Sequence, residues 1–376
     1  MTAARSTFGI TQASRRWWVV LAVLFGATVL TYRRAGRAPD VAARFGGPAQ
    51  GTTYAVVLGG PRTAAAVRGL QVAVDSLLAE IDAQMSTYDT TSELSRLNRD
   101  QRGIPYEVSA PLAAVLREAE TISRASQGAF DVTVGPLVNA WGFGAGDDTA
   151  ASDGDRVPSE SELTALRARV GWPQLVIDSV RRGGVTITTV MKRHPQLAVD
   201  LSGIAPGFTV DRISALLSSR GEADHFVELG GEVRAQGQAS ARRPFRVGIE
   251  SPIAASGDEG GKSQSRVQLV VNLDNRALAT SGNYRNYRVV DGVRYVHTID
   301  PATGRPVQHR LLSVSVLHTR CSAADAWATA LLVVGPERAW ALAREHRLDV
   351  LLLIAGAPDE VEERMTPGFA AQVVSR

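Results

Sequence analysis

The sequence predicts an α+β protein with mixed sheets flanked by helices, preceded by one N-terminal transmembrane helix. Three observations predict it. Stretches of helical periodicity, such as residues 63–84, alternate with short strand-like runs, such as residues 53–58. Turn signals recur between strand-like runs, as at Asp291-Gly292, and one uncharged apolar run stands near the start of the chain. Three segments result: an anchor or signal segment at residues 1–36, a linker at 37–51 and one globular domain at 52–376.

The chain has 376 residues, 44% hydrophobic and 21% charged, the proportions of an ordinary globular protein. A net charge of +3, spread without a basic tail or stripe, argues against a nucleic-acid partner. Cys321 is the one cysteine, which excludes an internal disulfide, a thiolate metal cluster and an N-terminal lipoprotein anchor.

Residues 17–32, WWVVLAVLFGATVLTY, carry no charge and are flanked by Arg15, Arg16, Arg33 and Arg34. The run is shorter than the ~20 residues of a comfortable span, but Trp17, Trp18 and Tyr32 suit the two interfaces and the arginines can snorkel. An uncleaved anchor is favoured over a cleaved twin-arginine export signal, because no clear small-x-small site follows. The globular part is then expected outside the cytoplasm, on the periplasmic side of the cell membrane.

Beyond the linker, residues 53–58 read as a strand and 63–84 as a helix that ends at MSTYD. Ser109 caps a second helix over 109–127, and Gly128 follows its end. In GAFDVTVGPLVNAWGFG, residues 128–144, Asp131 sits among apolar neighbours either as a ligand contact or as a buried carboxylate held by turn amides. Strands are expected at 185–190 and 196–199, and the second runs through the DLSGIAPG turn into a helix over 208–219. A strand, a glycine turn and a helix N-terminus together make an anion site. Further strands are expected at 225–229, 245–250, 267–274 and 349–354. Residues 230–234, GGEVR, lack the spacing of a dinucleotide fingerprint.

Residues 281–307, SGNYRNYRVVDGVRYVHTIDPATGRPV, read as a hairpin and a tight turn loaded with Asn283, Arg285, Asn286, Arg288, His297 and Asp300. Such a wall could present donors to an anionic ligand. His297 is either a proton acceptor or a strand histidine bonded to a nearby carbonyl. In SAADAWATALLVVG, residues 322–335, Ser322 is expected to cap a helix, with Asp325 three residues on in a capping box. Asp325 and Thr329, at i and i+4, share a helix face and form a hard-oxygen pair of the kind magnesium takes.

Together these stretches resemble, in order, the FAD:protein FMN transferase (ApbE) family. The matching segments are MSTYDTTSELSRLN, GAFDVTVGPLVNAWGFG, VDLSGIAPGFTVDRI, VELGGEVRAQG, residues 281–307 and ADAWATALLVVG. The resemblance implies an ApbE-like, T-fold-related domain that splits FAD at its pyrophosphate. It would attach FMN to a threonine or serine hydroxyl of a partner flavoprotein, release AMP and require Mg²⁺. It further implies Gly203, Asp325 and Thr329 as metal ligands and His297 as the catalytic residue. Flavin contacts carried over by motif are Gln50, Tyr88, Ala129, Phe130, Asp131, Asp200, Pro206 and Ile299. Gln50 and Pro206 depart from the family's usual methionine and charged residue, and Ala328 stands where some members have a further aspartate. An FAD pyrophosphatase and a non-catalytic FAD-binding protein are the rival expectations.

Overall fold

The computed structural model describes residues 41–60, 62–144, 156–239, 243–252, 266–284, 286–357 and 360–375. The N-terminal apolar run and Arg285 lie outside these residues. Among the described residues, no helix is long and apolar enough to cross a membrane.

Part of the expected linker is a strand. β1 (Val41–Ala49) pairs antiparallel with β2 (Thr52–Gly59) across a Gln50-Gly51 turn whose φ values are 49° and 74°. Positive φ at both turn residues suits a two-residue hairpin. Gly46 lets the backbones close, since a Cβ there would collide with the Tyr54 carbonyl oxygen, and Pro48 is tolerated because β1 is an edge strand. A glycine- and proline-rich stretch therefore concealed a strand.

Two expected helices follow, with shorter ones that the sequence did not announce. α1 (Ala64–Met85) is capped by the Thr63 hydroxyl and buries Leu70, Val74, Leu77, Leu78, Ile81 and Met85. α2 (Glu93–Arg99), β3 (Tyr106–Val108) and the Ser109-capped α3 (Ala110–Ala125) come next. α4 (Gly135–Ala140) and α5 (Glu160–Arg167) precede the hairpin of β4 (Leu175–Arg182) and β5 (Val185–Lys192), which β3 joins in a small sheet. Residues 196–199 form no strand, contrary to expectation. The Asn98 side chain takes the place of a neighbouring strand, its amide donating to Val199 O at 2.8 Å and its carbonyl accepting from Val199 N at 2.7 Å.

α6 (Ala205–Ser219) starts three residues earlier than the expected 208, because Pro206 is well suited to a first helical turn. β6 (His225–Leu229) and β7 (Glu232–Gln236) make a hairpin, and β8 (Phe245–Glu250) pairs with β9 (Val267–Leu273). β10 (Ala277–Gly282) leads to the expected hairpin of β11 (Tyr287–Val290) and β12 (Val293–Val296), then to the short pair β13 (Ile299–Asp300) and β14 (Arg305–Pro306). The chain closes with β15 (Leu311–His318), α7 (Cys321–Glu345), β16 (Asp349–Ala355), β17 (Val361–Met365), α8 (Pro367–Ala370) and β18 (Val373–Ser375).

An eight-stranded sheet, β1-β2-β6-β7-β10-β15-β16-β17, organises the molecule. Every strand pair among the described residues is antiparallel, so the sheets are not mixed as expected. Hairpins join β1 to β2, β6 to β7 and β16 to β17, and longer antiparallel connections supply the other neighbours. One face buries Tyr54, Val56, Leu58, Val350, Leu352 and Ile354 in a main core with α1, α3, α6 and α7. The other face buries Val57, Leu351 and Leu353 against β8, β9 and α8. A third cluster, Leu137, Trp141, Leu163 and Ile299, sits beneath α4 and α5.

Ser322 is not a cap. α7 begins at Cys321 after Arg320, and Ser322 lies inside its first turn, so the capping box with Asp325 does not form. The carboxylate of Asp211, on α6, instead accepts from the backbone N–H groups of Cys321 and Ser322.

Candidate functional site

The antiparallel packing of α6 against α7 builds the site. At Gly207 an added Cβ would lie 2.5 Å from the Cys321 carbonyl oxygen, so only glycine permits so close a crossing. Gly207 N then donates to Asp325 Oδ2 at 3.0 Å. One turn further along α7, Thr329 faces Gly203, whose Cβ position is 3.1 Å from Thr329 Oγ1, and the Ser281 hydroxyl of β10 lies 3.2 Å from the same oxygen. The three expected metal-ligating residues are thus brought together.

Asp325 is buried, and burial pushes its carboxyl up to about 7, with the Gly207 amide opposing the shift. Glu232, on the neighbouring β7, is pushed up by burial and by the charge of Asp325. Burial likewise pushes Glu228 up to about 7. No group of three or more His, Cys, Asp or Glu ligands occurs among the described residues. The donors seen at α7 are therefore one carboxylate and one hydroxyl beside the Gly203 turn, a sparse hard-oxygen pair that could hold a cation such as Mg²⁺, which keeps water and phosphate oxygens in its shell. Ala328 is fully buried and adds no carboxylate.

The turn segments lie alongside. Phe130 Cε2 is 3.2 Å from the Gly203 Cβ position, and Asp200 N donates to Val132 O at 2.7 Å, which lays residues 129–132 against 200–203. Ala129 and Phe130 are buried. Both oxygens of Asp131 are taken: Oδ1 accepts from Thr133 N (2.8 Å) and Thr133 Oγ1 (2.6 Å), and Oδ2 from Trp172 N (2.8 Å). Burial raises its pKa while those bonds lower it, the balance being upward. The carboxylate is held by turn donors, as one of the two sequence readings had it. Asp200 Oδ1 likewise accepts from Ser202 N and Oγ at 2.8 and 2.5 Å.

Gln50, at the β1–β2 turn, reaches the N-terminal part of α6: its Nε2 is 3.0 Å from the hydroxyl of Thr209, three residues beyond Pro206. Tyr88 is 77% exposed in the turn after α1, outside the buried cluster. The Ile299 side chain is buried in the third core against Trp141 and Leu137.

His297 closes the β11–β12 hairpin. Its backbone N and its Nδ1 both lie 3.1 Å from Asn286 O. A carbonyl can only accept, so Nδ1 carries the proton and Nε2 the lone pair. Burial pulls the His297 pKa below the usual histidine range, which keeps the ring neutral at pH 7. Both sequence readings of His297 are compatible with this geometry, because the carbonyl bond is what orients Nε2. Asn283, two residues after Ser281, accepts from Thr298 Oγ1 at 2.7 Å and so stitches the histidine segment to β10.

Other polar groups of the hairpin are spent internally. Arg288 donates to Trp141 O, Arg294 donates to the carbonyls of Asn283 and Tyr284, and Asp300 accepts from Ala302 N and Thr303 Oγ1. Behind the hairpin, Val333, one turn past Thr329, helps line a cavity of about 300 Å³ with Trp141, Tyr295, Asp300 and His309. That volume is at the lower end of small-molecule pockets. Sequence reasoning missed Asp211, Ser281 and Glu232. Asp211 stands one helical turn after Gly207, but the amides it caps, of Cys321 and Ser322, are more than a hundred residues away.

Residues 50–352 match the model of the ApbE family. The FAD:protein FMN transferase of Vibrio cholerae is 42% identical over 308 residues, covering 82% of this chain and 86% of that protein. The FAD:protein FMN transferase of Haemophilus influenzae is 37% identical over 310 residues, covering 82% and 85%. The solved structure of the flavin transferase ApbE from Vibrio cholerae superposes with a TM-score of 0.75 at 38% identity, covering 88% of this chain and 98% of that one. A match over most of the sequence, close relatives and a shared fold all agree: the chain belongs to the ApbE family.

Proposed function

We propose that the chain is an FAD:protein FMN transferase that moves FMN from FAD to a threonine or serine hydroxyl of an acceptor flavoprotein and releases AMP. The observation that carries this reading is the convergence of Asp325, Thr329 and Gly203 on one crossing of α6 and α7, with a neutral, oriented His297 on the adjoining hairpin. The names of the relatives support the reading.

Asp325, Thr329 and the Gly203 carbonyl would hold Mg²⁺, which when bound supplies charge neutralisation to the pyrophosphate. His297 Nε2 accepts the proton of the acceptor hydroxyl. The hydroxyl oxygen forms a bond to the FMN phosphorus, the bond from that phosphorus to the bridging oxygen breaks, and AMP leaves with the bonding electrons. The flavin half would lie along residues 129–131 and Asp200, with Gln50, Tyr88, Pro206 and Ile299 at its margins.

The location proposed for the catalytic domain rests on the sequence of residues 17–32 alone: a membrane anchor with the domain on the periplasmic side. The full-length protein, incubated with FAD and Mg²⁺ with and without a threonine-bearing acceptor flavoprotein, tests the activity. AMP together with an FMN-modified acceptor is expected. AMP with free FMN alone would replace the transferase by a pyrophosphatase, and intact FAD in the presence of acceptor would reduce the protein to a flavin binder.

A further inference from the structure

Neither helix at the site caps itself. α6 begins after Ile204 and α7 after Arg320, neither residue makes a side-chain cap bond, and neither helix has an acid in its first turn. Each instead receives a carboxylate from the other. Asp325, on α7, accepts from Gly207 N in the first turn of α6. Asp211, on α6, does the same for α7: its Oδ1 is 2.9 Å from Cys321 N and its Oδ2 is 3.0 Å from Ser322 N and 3.1 Å from Ser322 Oγ.

The contacts form a ladder along the two helices, pairing Gly203 with Thr329, Gly207 with Asp325 and Asp211 with Cys321. Each step is four residues on both sides, about 6 Å of rise at 1.5 Å per residue where both segments are helical, with Gly203 in the turn just before α6. The helices therefore share one axial register, and the rung at Asp211 is the one that no expected ligand occupies. Arg234, from β7, locks it: its Nη1 donates to Asp211 Oδ1 at 2.8 Å and also to Thr319 O. Ser322 Oγ is also within 2.9 Å of Glu118 Oε2, so α3 joins the same tie.

We infer that Asp211 is a positioning residue: by capping α7 from α6 it sets the register of the two helices and so fixes the oxygens of Asp325 and Thr329. The inference rests on the proposed metal role of those two residues, and it concerns a side chain one rung removed from them. Slippage at the Asp211 rung would move Asp325 off Gly207 N and Thr329 off Gly203 together. FAD contacts along residues 129–131 would be left in place, because those residues are held by Thr133 and Trp172 rather than by α7.

The test compares Asp211→Asn with the unchanged full-length protein. Asparagine keeps the size but turns an N–H donor toward amide donors that the carboxylate accepted. In metal-free protein the Gly207 amide is expected to exchange its hydrogen faster, and with FAD bound the Mg²⁺ affinity measured by calorimetry is expected to fall about ten-fold, as for other groups that orient metal ligands. FAD affinity without metal stays unchanged. Unaltered Gly207 exchange overturns the inference, and so does faster exchange with full Mg²⁺ affinity, which would leave Asp211 a mere cap.

Should Asp211→Asn fail to fold, Arg234→Gln loosens the same carboxylate and is expected to shift both readouts in the same direction by a smaller factor; no shift overturns the inference. Tyr54→Phe, which loses the half-buried bond from the Tyr54 hydroxyl to Asp75, is the stability control. It is expected to lower stability without changing Mg²⁺ affinity, and a fall like that of Asp211→Asn overturns the inference. If the unchanged protein binds no Mg²⁺, the metal reading fails, while the exchange result still decides whether Asp211 holds Asp325 in register.

Discussion

Asp325 stabilises the metal-free protein only while it keeps its proton. Its folded pKa of about 7 lies above the ordinary aspartate value, so its contribution is full below about pH 4 and is lost as pH rises toward 7. Asp325→Asn is therefore expected to raise the unfolding free energy in chelator at pH 8, by roughly 2 kcal/mol as read from denaturant titration, with the gain fading toward pH 4. The same variant is expected to lose Mg²⁺-dependent turnover. For His297 the sign is opposite. Its pKa is lowered, the base must be neutral, and activity should fall only as pH drops below about 6.5. His297→Gln should slow turnover by about 10²- to 10⁴-fold, keep FAD affinity and abolish that acid limb, as steady-state rates across pH would read. The placement of Asp325 and Thr329 on one helix face, which lies beside Gly207 and Gly203, was legible in the sequence. Asp131 was legible only as two alternatives, since a carboxylate between apolar neighbours does not announce that Thr133 and Trp172 fill both its oxygens. Asp211 was not legible, because a cap supplied across 110 residues has no local signature.

Among the elements, α7 departs most from expectation. The apolar run stops at Gly335, yet the helix resumes at Pro336 and continues to Glu345. Gly335 has φ 77° and ψ 172°, so the element is two helical segments joined at a kink, with Pro336 at the start of the second. A Cβ at Gly335 would lie 3.1 Å from His309 Cδ2 in a backbone conformation that other residues resist. Gly335→Ala is expected to cost roughly 1–3 kcal/mol, measured by equilibrium denaturation, while leaving the Gly207–Asp325 crossing intact. α1 and α3 were legible to within two residues, because their apolar spacing and the Thr63 and Ser109 caps are local signals. Residues 196–199 were misread for the reverse reason. Their apolar alternation is real, but the partner that satisfies Val199 is the side chain of Asn98.

At the scale of the whole molecule, the central sheet is apolar on both sides, which explains what could be read from the pattern. β16 places Val350, Leu352 and Ile354 in one core and Leu351 and Leu353 in the other, so it appears as an unbroken apolar run. β1 contributes little beyond Ala43, Phe45 and Ala49, and its glycines and proline hid it. Four histidines, His225, His297, His309 and His318, have pKa values lowered by burial. Among them His225 is fully buried, between Ser214 Oγ and Glu222 O. Unfolding would let it take up a proton below about pH 6.5, so its share of stability is lost as pH falls through that range. His225→Gln is expected to destabilise the protein at pH 7.5 and to flatten the decline in denaturant midpoint between pH 7 and 5.

The lone thiol of Cys321 has no exposed surface, and its Sγ rests 3.6 Å from Val233 O, between the helix crossing and the sheet. Burial also holds its pKa far above the usual thiol range, so the folded chain presents no thiolate to a reagent. The protein therefore carries its own stopwatch. The rate at which a thiol reagent labels it counts how often α6 and α7 part, and any ligand that bridges the two helices should slow the count.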